Sequence, residues 1–240
     1  MSAVYETGHA KNLSNFEDLI SFCQGYGASY NPTNERIKIP QLQAAYQTAL
    51  ADFTAFKPAK VAFDNATNAR KLAFEPLQQL STQVLNSFIV SGADELAVED
   101  IKGINRKIQG KRASLVLTPQ EGETTTSISA SQRSYDRIID HVTNLVEALQ
   151  QHPEYAPNEE HLKISTLENK LTELKNANTA LISSYTSYSN AKIQRDQSLY
   201  NSITGIIQLS KLVKIYVKSV FGANSPQYKQ ISGLEFTKPR

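Results

Sequence analysis

The chain reads as all-α: an elongated helical bundle built from two tandem copies of one helical unit, with a long coiled-coil-like helix in each. Three observations predict this. Gly (10) and Pro (9) are sparse and sit at punctuation points, Trp is absent, and Ala, Gln, Leu, Lys and Asn are abundant. That is a composition of long helices rather than of a sheet. A segment beginning at Tyr30, YNPTNERIKIPQL, returns as YAPNEEHLKISTL from Tyr155, an offset of 125. Finally, apolar positions alternate by four and three over long stretches of both copies, the spacing that keeps them on one helix face.

In order along the chain, residues 1–13 read as an N-terminal tail, 14–109 as the first repeat, 110–130 as a linker and 131–240 as the second repeat. The first helix is expected at about 15–25, with Ser14 and Glu17 in the spacing of a capping box. Its counterpart, about 131–151, reads as longer and carries Ile138, Val142, Leu145 and Leu149 on one stripe. Pro32 and Pro157 mark the turns that follow.

The second helix is the long one, about 38–74 and 159–200. Leu42, Tyr46, Ala49, Phe53, Phe56 and Phe63 lie on its seam in copy one. Leu167, Leu171, Leu174, Asn178, Leu181, Tyr185 and Tyr188 do so in copy two. Pro58 interrupts copy one where Ser183 stands in copy two, which predicts a kink rather than a break. Third helices at about 76–91 and 201–221 stop at Gly92 and Gly222, since glycine readily takes the backbone geometry that closes a last turn. Short fourth helices follow at about 94–108 and 225–232, the latter opened by Ser225 and Pro226. The linker is rich in Thr, Ser and Gly, with a brief β-prone run at Leu115, Val116 and Leu117.

The repeat extends beyond its first motif. At the same offset, Asn65-Ala66 and Arg70 fall on Asn190-Ala191 and Arg195; later, Gly92-Ala93 maps to Gly222-Ala223 and Gly103 to Gly233 at an offset of 130. Copy two therefore holds about five additional residues between Arg195 and Gly222. Convergent helix punctuation is the alternative, but Pro and Gly coincide in register with the apolar matches.

Charge and residue types narrow the function. With 25 basic against 23 acidic residues, a net charge of +2, the chain lacks the basic excess of a nucleic-acid binder. Cys23 is the sole cysteine, so no internal disulfide forms, in keeping with a reducing compartment. No apolar run at the N-terminus and none of about 20 residues elsewhere suggests a leader or a membrane span, and the expected location is cytoplasmic. His9, His141, His152 and His161 do not cluster, and Glu154, Glu159 and Glu160 read as solvated helix-start acids, so neither a metal site nor a cofactor is expected. No nucleophile elbow or phosphate-binding glycine loop occurs, and the chain reads as a non-enzyme.

Two constellations remain. Arg70 and Arg195 continue the aromatic seam, where a cation must find a carboxylate, a carbonyl or an anion. With Asn65 and Asn190 one turn away they form a candidate anion or partner site, or else they tie helices together. Ser210–Phe221 is basic and amphipathic: Lys211, Lys214 and Lys218 share a face, and with Phe221 they make a candidate membrane or partner surface. The dull reading is the outer helix of a bundle with its lysines in water.

The closing run VKSVFGANSPQYKQISGLEFT, with YAPNEEHLKISTL, resembles a family of uncharacterised helical proteins from Bacteroidota. The resemblance spans most of copy two and less of copy one, implies a helical fold, and carries over no functional residue. The expected function is a structural or scaffolding protein that self-associates or binds other proteins through helix faces. A membrane-associating or pore-forming role for 210–221 and anion or small-molecule binding at the seam arginines are the alternatives.

Overall fold

The computed structural model describes residues 8–111 and 134–238, and the described residues contain α-helices, short 3-10 turns and no strand. The helices are α1 (His9–Gly25), α2 (Ile39–Phe74), α3 (Leu77–Ile89), α4 (Glu95–Ile108), α5 (Tyr135–Gln150), α6 (Ile164–Tyr200), α7 (Ile206–Phe221) and α8 (Pro226–Ser232). The linker expected at 110–130, with its Leu115–Leu117 run, lies almost entirely outside the described residues.

The order helix, long helix, helix, helix occurs twice, with a 3-10 turn just before each long helix and a second one, Gly27–Ser29, after α1. The two turns before the long helices are built alike. Tyr30 Oη donates to the Ile37 carbonyl at 2.7 Å and Tyr155 Oη to the Leu162 carbonyl at 2.8 Å. Glu35 meets Lys38 and Glu160 meets Lys163, each at 2.5 Å. Gly92 and Gly222 take φ of 89° and 90°, where a side chain would be strained.

Several boundaries move from their expected places. α1 begins at His9, inside the stretch read as a tail, and Gly8 stands at its N-cap, so Ser14 and Glu17 are interior rather than capping residues. The reason is packing: Leu13, Phe16, Leu19, Ile20 and Cys23 are buried along one face, and burying such a side chain is worth about 1.5–3 kcal/mol. α5 starts only at Tyr135 behind a Ser134 cap that accepts from Arg137 N, so it is not longer than α1. α2 runs through Pro58 unbroken, although proline removes one ladder hydrogen bond.

Residues 201–205 connect α6 to α7, where only Glu75 and Pro76 connect α2 to α3. Asn201 Oδ1 accepts from the Ile203 and Thr204 amides at 2.8 and 3.0 Å. A Cβ on Gly205 would sit 2.5 Å from Asn201 N, so only glycine closes this turn.

Two compact units divide the chain: Met1–Phe63 with Ser184–Arg240, and Asp64–Ser183. The repeats at 14–109 and 131–240 are thus not themselves the compact units. The two ends of each long helix serve different cores: Leu42 and Phe74 of α2, and Leu199 and Leu174 of α6. The first unit packs α1, the start of α2, the end of α6, α7 and α8 around Phe16, Leu42, Leu199, Val213 and Ile231. In the second, the end of α2, α3, α4, α5 and the start of α6 surround Phe88, Ile101, Leu149 and Leu174.

Candidate functional site

In the first unit the two long helices meet through aromatic rings. Phe63 stacks on Tyr188 at 5.3 Å with an interplanar angle of 4°, and approaches Tyr185 at 5.6 Å. Phe56 lies 5.5 Å from Tyr188. The pairs 56 with 188 and 63 with 185 run in opposite senses, so the helices are antiparallel here.

This seam is only half covered. Within the first unit, no residue of α2 from Leu50 to Phe63, and none of α6 from Ser184 to Gln194, belongs to the buried core. Val61, Tyr185 and Ile193 in the first unit are 56%, 55% and 49% exposed.

Arg195, 6% exposed, sits at the inner end of this stretch. Its Nε and Nη2 donate to Asp196 Oδ1 at 2.9 and 2.6 Å, and its guanidinium carbon lies 4.2 Å from the Phe56 ring centroid. Next to it, His9 Nδ1 and Tyr200 Oη are 2.5 Å apart. Burial, then the charge of Arg195, holds the His9 imidazole below its ordinary pKa. Burial pushes the Tyr200 hydroxyl up. A neutral His9 accepting at Nδ1 from the Tyr200 hydroxyl, which in turn accepts from Asn12 Nδ2 at 3.5 Å, satisfies all three groups.

In the second unit Arg70 Nη1 donates to Asn178 Oδ1 at 3.0 Å, and Asn178 Nδ2 donates to Asp136 Oδ1 at 2.8 Å. The guanidinium lies over Tyr135, and its buried Nε has no partner. Each seam arginine therefore meets an aromatic face and an oxygen of its own unit. Asn65 and Asn190, expected beside the arginines, are exposed; the amide that Arg70 meets is that of Asn178.

The basic face of α7 is partly spoken for. Lys214 Nζ donates to the Leu234 and Ser232 carbonyls at 2.5 and 3.1 Å, and burial lowers its pKa. Lys218 Nζ lies 5.8 Å from the Tyr228 ring, and Phe221 packs on Tyr26 at 5.4 Å. Lys211 is exposed, as is Ile215 at 65%. No helix among the described residues is long and apolar enough to cross a membrane. Nor do three His, Cys, Asp or Glu side chains among the described residues gather as metal ligands. A small apolar cavity in the second unit, lined by Leu77, Val84, Val142 and Val146 among others, has room for about one water (≈20 Å³).

Two polar residues escape the reading from periodicity: Asn12 and Asn15, buried on α1. The signal was present for the asparagines. They stand three apart, among the apolar positions 13, 16, 19 and 20, where a polar side chain must be satisfied by something other than water.

No family model matches this chain, and no curated protein or solved structure matches it either.

Proposed function

We propose that this chain is a non-enzymatic scaffolding protein, acting by self-association or by contacts with other proteins through the faces of its long helices. One observation carries the reading. The stretch where α2 and α6 meet through Phe56, Phe63, Tyr185 and Tyr188 has no fully buried side chain, yet it keeps exposed Val61, Tyr185 and Ile193. Apolar area left in water forgoes about 25 cal/mol per Å², and aromatic side chains are the usual anchors of protein interfaces. A second protein surface covering this face recovers that energy without disturbing either core.

The recurrence of the Tyr30–Ile37 and Tyr155–Leu162 hydrogen bonds at the offset of the sequence repeat supports an origin by duplication. The two copies then supply the two antiparallel helices of this face.

Light scattering on the eluting protein, with pull-down from its source, tests the proposal. The expected result is a species larger than one chain or a recovered protein partner, and its loss in the Tyr185→Ser, Ile193→Ser double variant. A wild type that is monomeric and recovers no partner, or a species unchanged by the double variant, overturns it.

A further inference from the structure

Residues 234–238 follow α8 without helical structure, and their exposure alternates: Leu234 and Phe236 are partly buried against the core of the first unit, while Glu235 and Thr237 face outward. Alternation by two is the mark of an extended chain. What holds this segment acts almost wholly on its main chain. Asn12, 1% exposed, accepts the Thr237 N–H at 3.0 Å through Oδ1 and donates to the Thr237 carbonyl at 2.6 Å through Nδ2. Asn15, 4% exposed, donates to the Glu235 carbonyl at 2.6 Å. From the other side Lys214 Nζ donates to the Leu234 carbonyl at 2.5 Å and lies 5.6 Å from the Phe236 ring.

An asparagine that donates to and accepts from one residue presents that residue with the pattern of a neighbouring strand. Hydrogen bonds to main chain supply affinity for any extended peptide, and places for alternate side chains supply selectivity. With the segment in place, the two asparagines, one turn apart on α1, and the half-buried Lys214 on α7 are each satisfied by its main chain.

We propose that the face formed by α1 and α7 is a binding groove for an extended peptide of the pattern aliphatic–x–aromatic–Thr. The C-terminal segment Leu234–Lys238 is its occupant in cis, and a peptide of the same pattern supplied in trans displaces it. This goes beyond the helix-face association proposed above and uses none of its residues.

The test uses the full-length chain and a fluorescein-labelled peptide GLEFTK, read by anisotropy. In the wild type the tethered segment competes at an effective concentration on the order of millimolar, so binding is weak. The Phe236→Ala, Thr237→Pro double variant removes the aromatic anchor and the N–H that Asn12 accepts, freeing the groove. It should bind the peptide at least ~10-fold more tightly than the wild type. The same variant should not bind GLEAPK, which carries both changes, nor a scrambled peptide. Adding Asn12→Ala and Asn15→Ala should abolish binding; if circular dichroism shows those changes unfold the helices, the two control peptides on the folded double variant decide. Binding no tighter than in the wild type, or equal binding of the scrambled peptide, overturns the proposal. Light scattering in the same samples reports helix-face association separately, so either idea can fail alone.

Discussion

The guanidinium carbon of Arg70 lies 3.8 Å from the ring centroid of Tyr135. The charge is held by a ring face and by the Asn178 amide, with the Asp136 carboxylate one hydrogen bond further on. Asn178 is 8% exposed and stands where the heptad spacing calls for an apolar residue. The polar pair is thus mutually necessary: Arg70 gives the buried amide its donor, and Asn178 gives the arginine its acceptor.

That mutual need predicts non-additive stability. Asn178→Leu alone leaves the Nη1 of Arg70 without its acceptor and should cost about 1–3 kcal/mol. Arg70→Met alone strands the Asn178 carbonyl oxygen and should cost a similar amount. The double variant restores an apolar seam and should return to within about 1 kcal/mol of the wild type. Urea unfolding of the four proteins measures the coupling. Additive losses would show that the two side chains do not depend on each other.

Much of the helical architecture was legible because periodicity reports which face of a helix is covered. Leu42, Leu167, Leu171 and Leu174 lie on the expected seam and are buried. Periodicity is silent on what does the covering. Lys214 reads as a surface lysine, yet its partner is a carbonyl at Leu234, two elements later. Asn12 falls in the stretch expected to be a tail, and its partner, Thr237, lies 225 residues further on. The same limit explains the compact units. The spacing on α2 and α6 identifies two long seams but not that opposite ends of each helix enter different cores. The seam arginines differ in this respect: Arg70 meets Asn178, 108 residues along the chain, whereas Arg195 meets the adjacent Asp196.

His141, 6% exposed on α5, has a buried Nε2 without a partner, and burial is the main cause that lowers its pKa. The charged groups that bear on it are Lys107 from α4 and Arg137 and Asp140 from α5; the two cations lower its pKa and Asp140 raises it. In the unfolded chain the imidazole titrates near 6.5. The unfolded state therefore binds the proton first as pH falls. Stability is full above pH ~7 and declines as pH drops through the unfolded value toward the lowered folded one. The slope is at most about 1.4 kcal/mol per pH unit for one group. His9 acts in the same direction in the first unit. His141→Leu should flatten the decline of Tm between pH 7 and 5 without lowering Tm at pH 7 by more than the equivalent of about 1 kcal/mol. An unchanged pH profile in that variant would remove His141 as its source.

Cys23 gives a reporter of opening in the first unit. The thiol is 1% exposed on α1, and burial pushes its pKa up to about 12. At pH 8 the thiolate fraction is then about one in 10⁴, against roughly a quarter for an unperturbed thiol. Alkylation in the native protein must therefore pass through an opened state, and iodoacetamide should react at least ~10³-fold more slowly than in urea. The choice of core substitution sharpens the test. Leu199→Ala removes a fully buried side chain of the core that contains Cys23 and should cost about 2–5 kcal/mol. Leu174→Ala does the same in the other core, which lacks Cys23. If the two units open independently, mass-spectrometric alkylation rates rise in Leu199→Ala and stay near wild type in Leu174→Ala. Equal acceleration in both variants would mean that the continuous long helices couple the two cores into one cooperative unit.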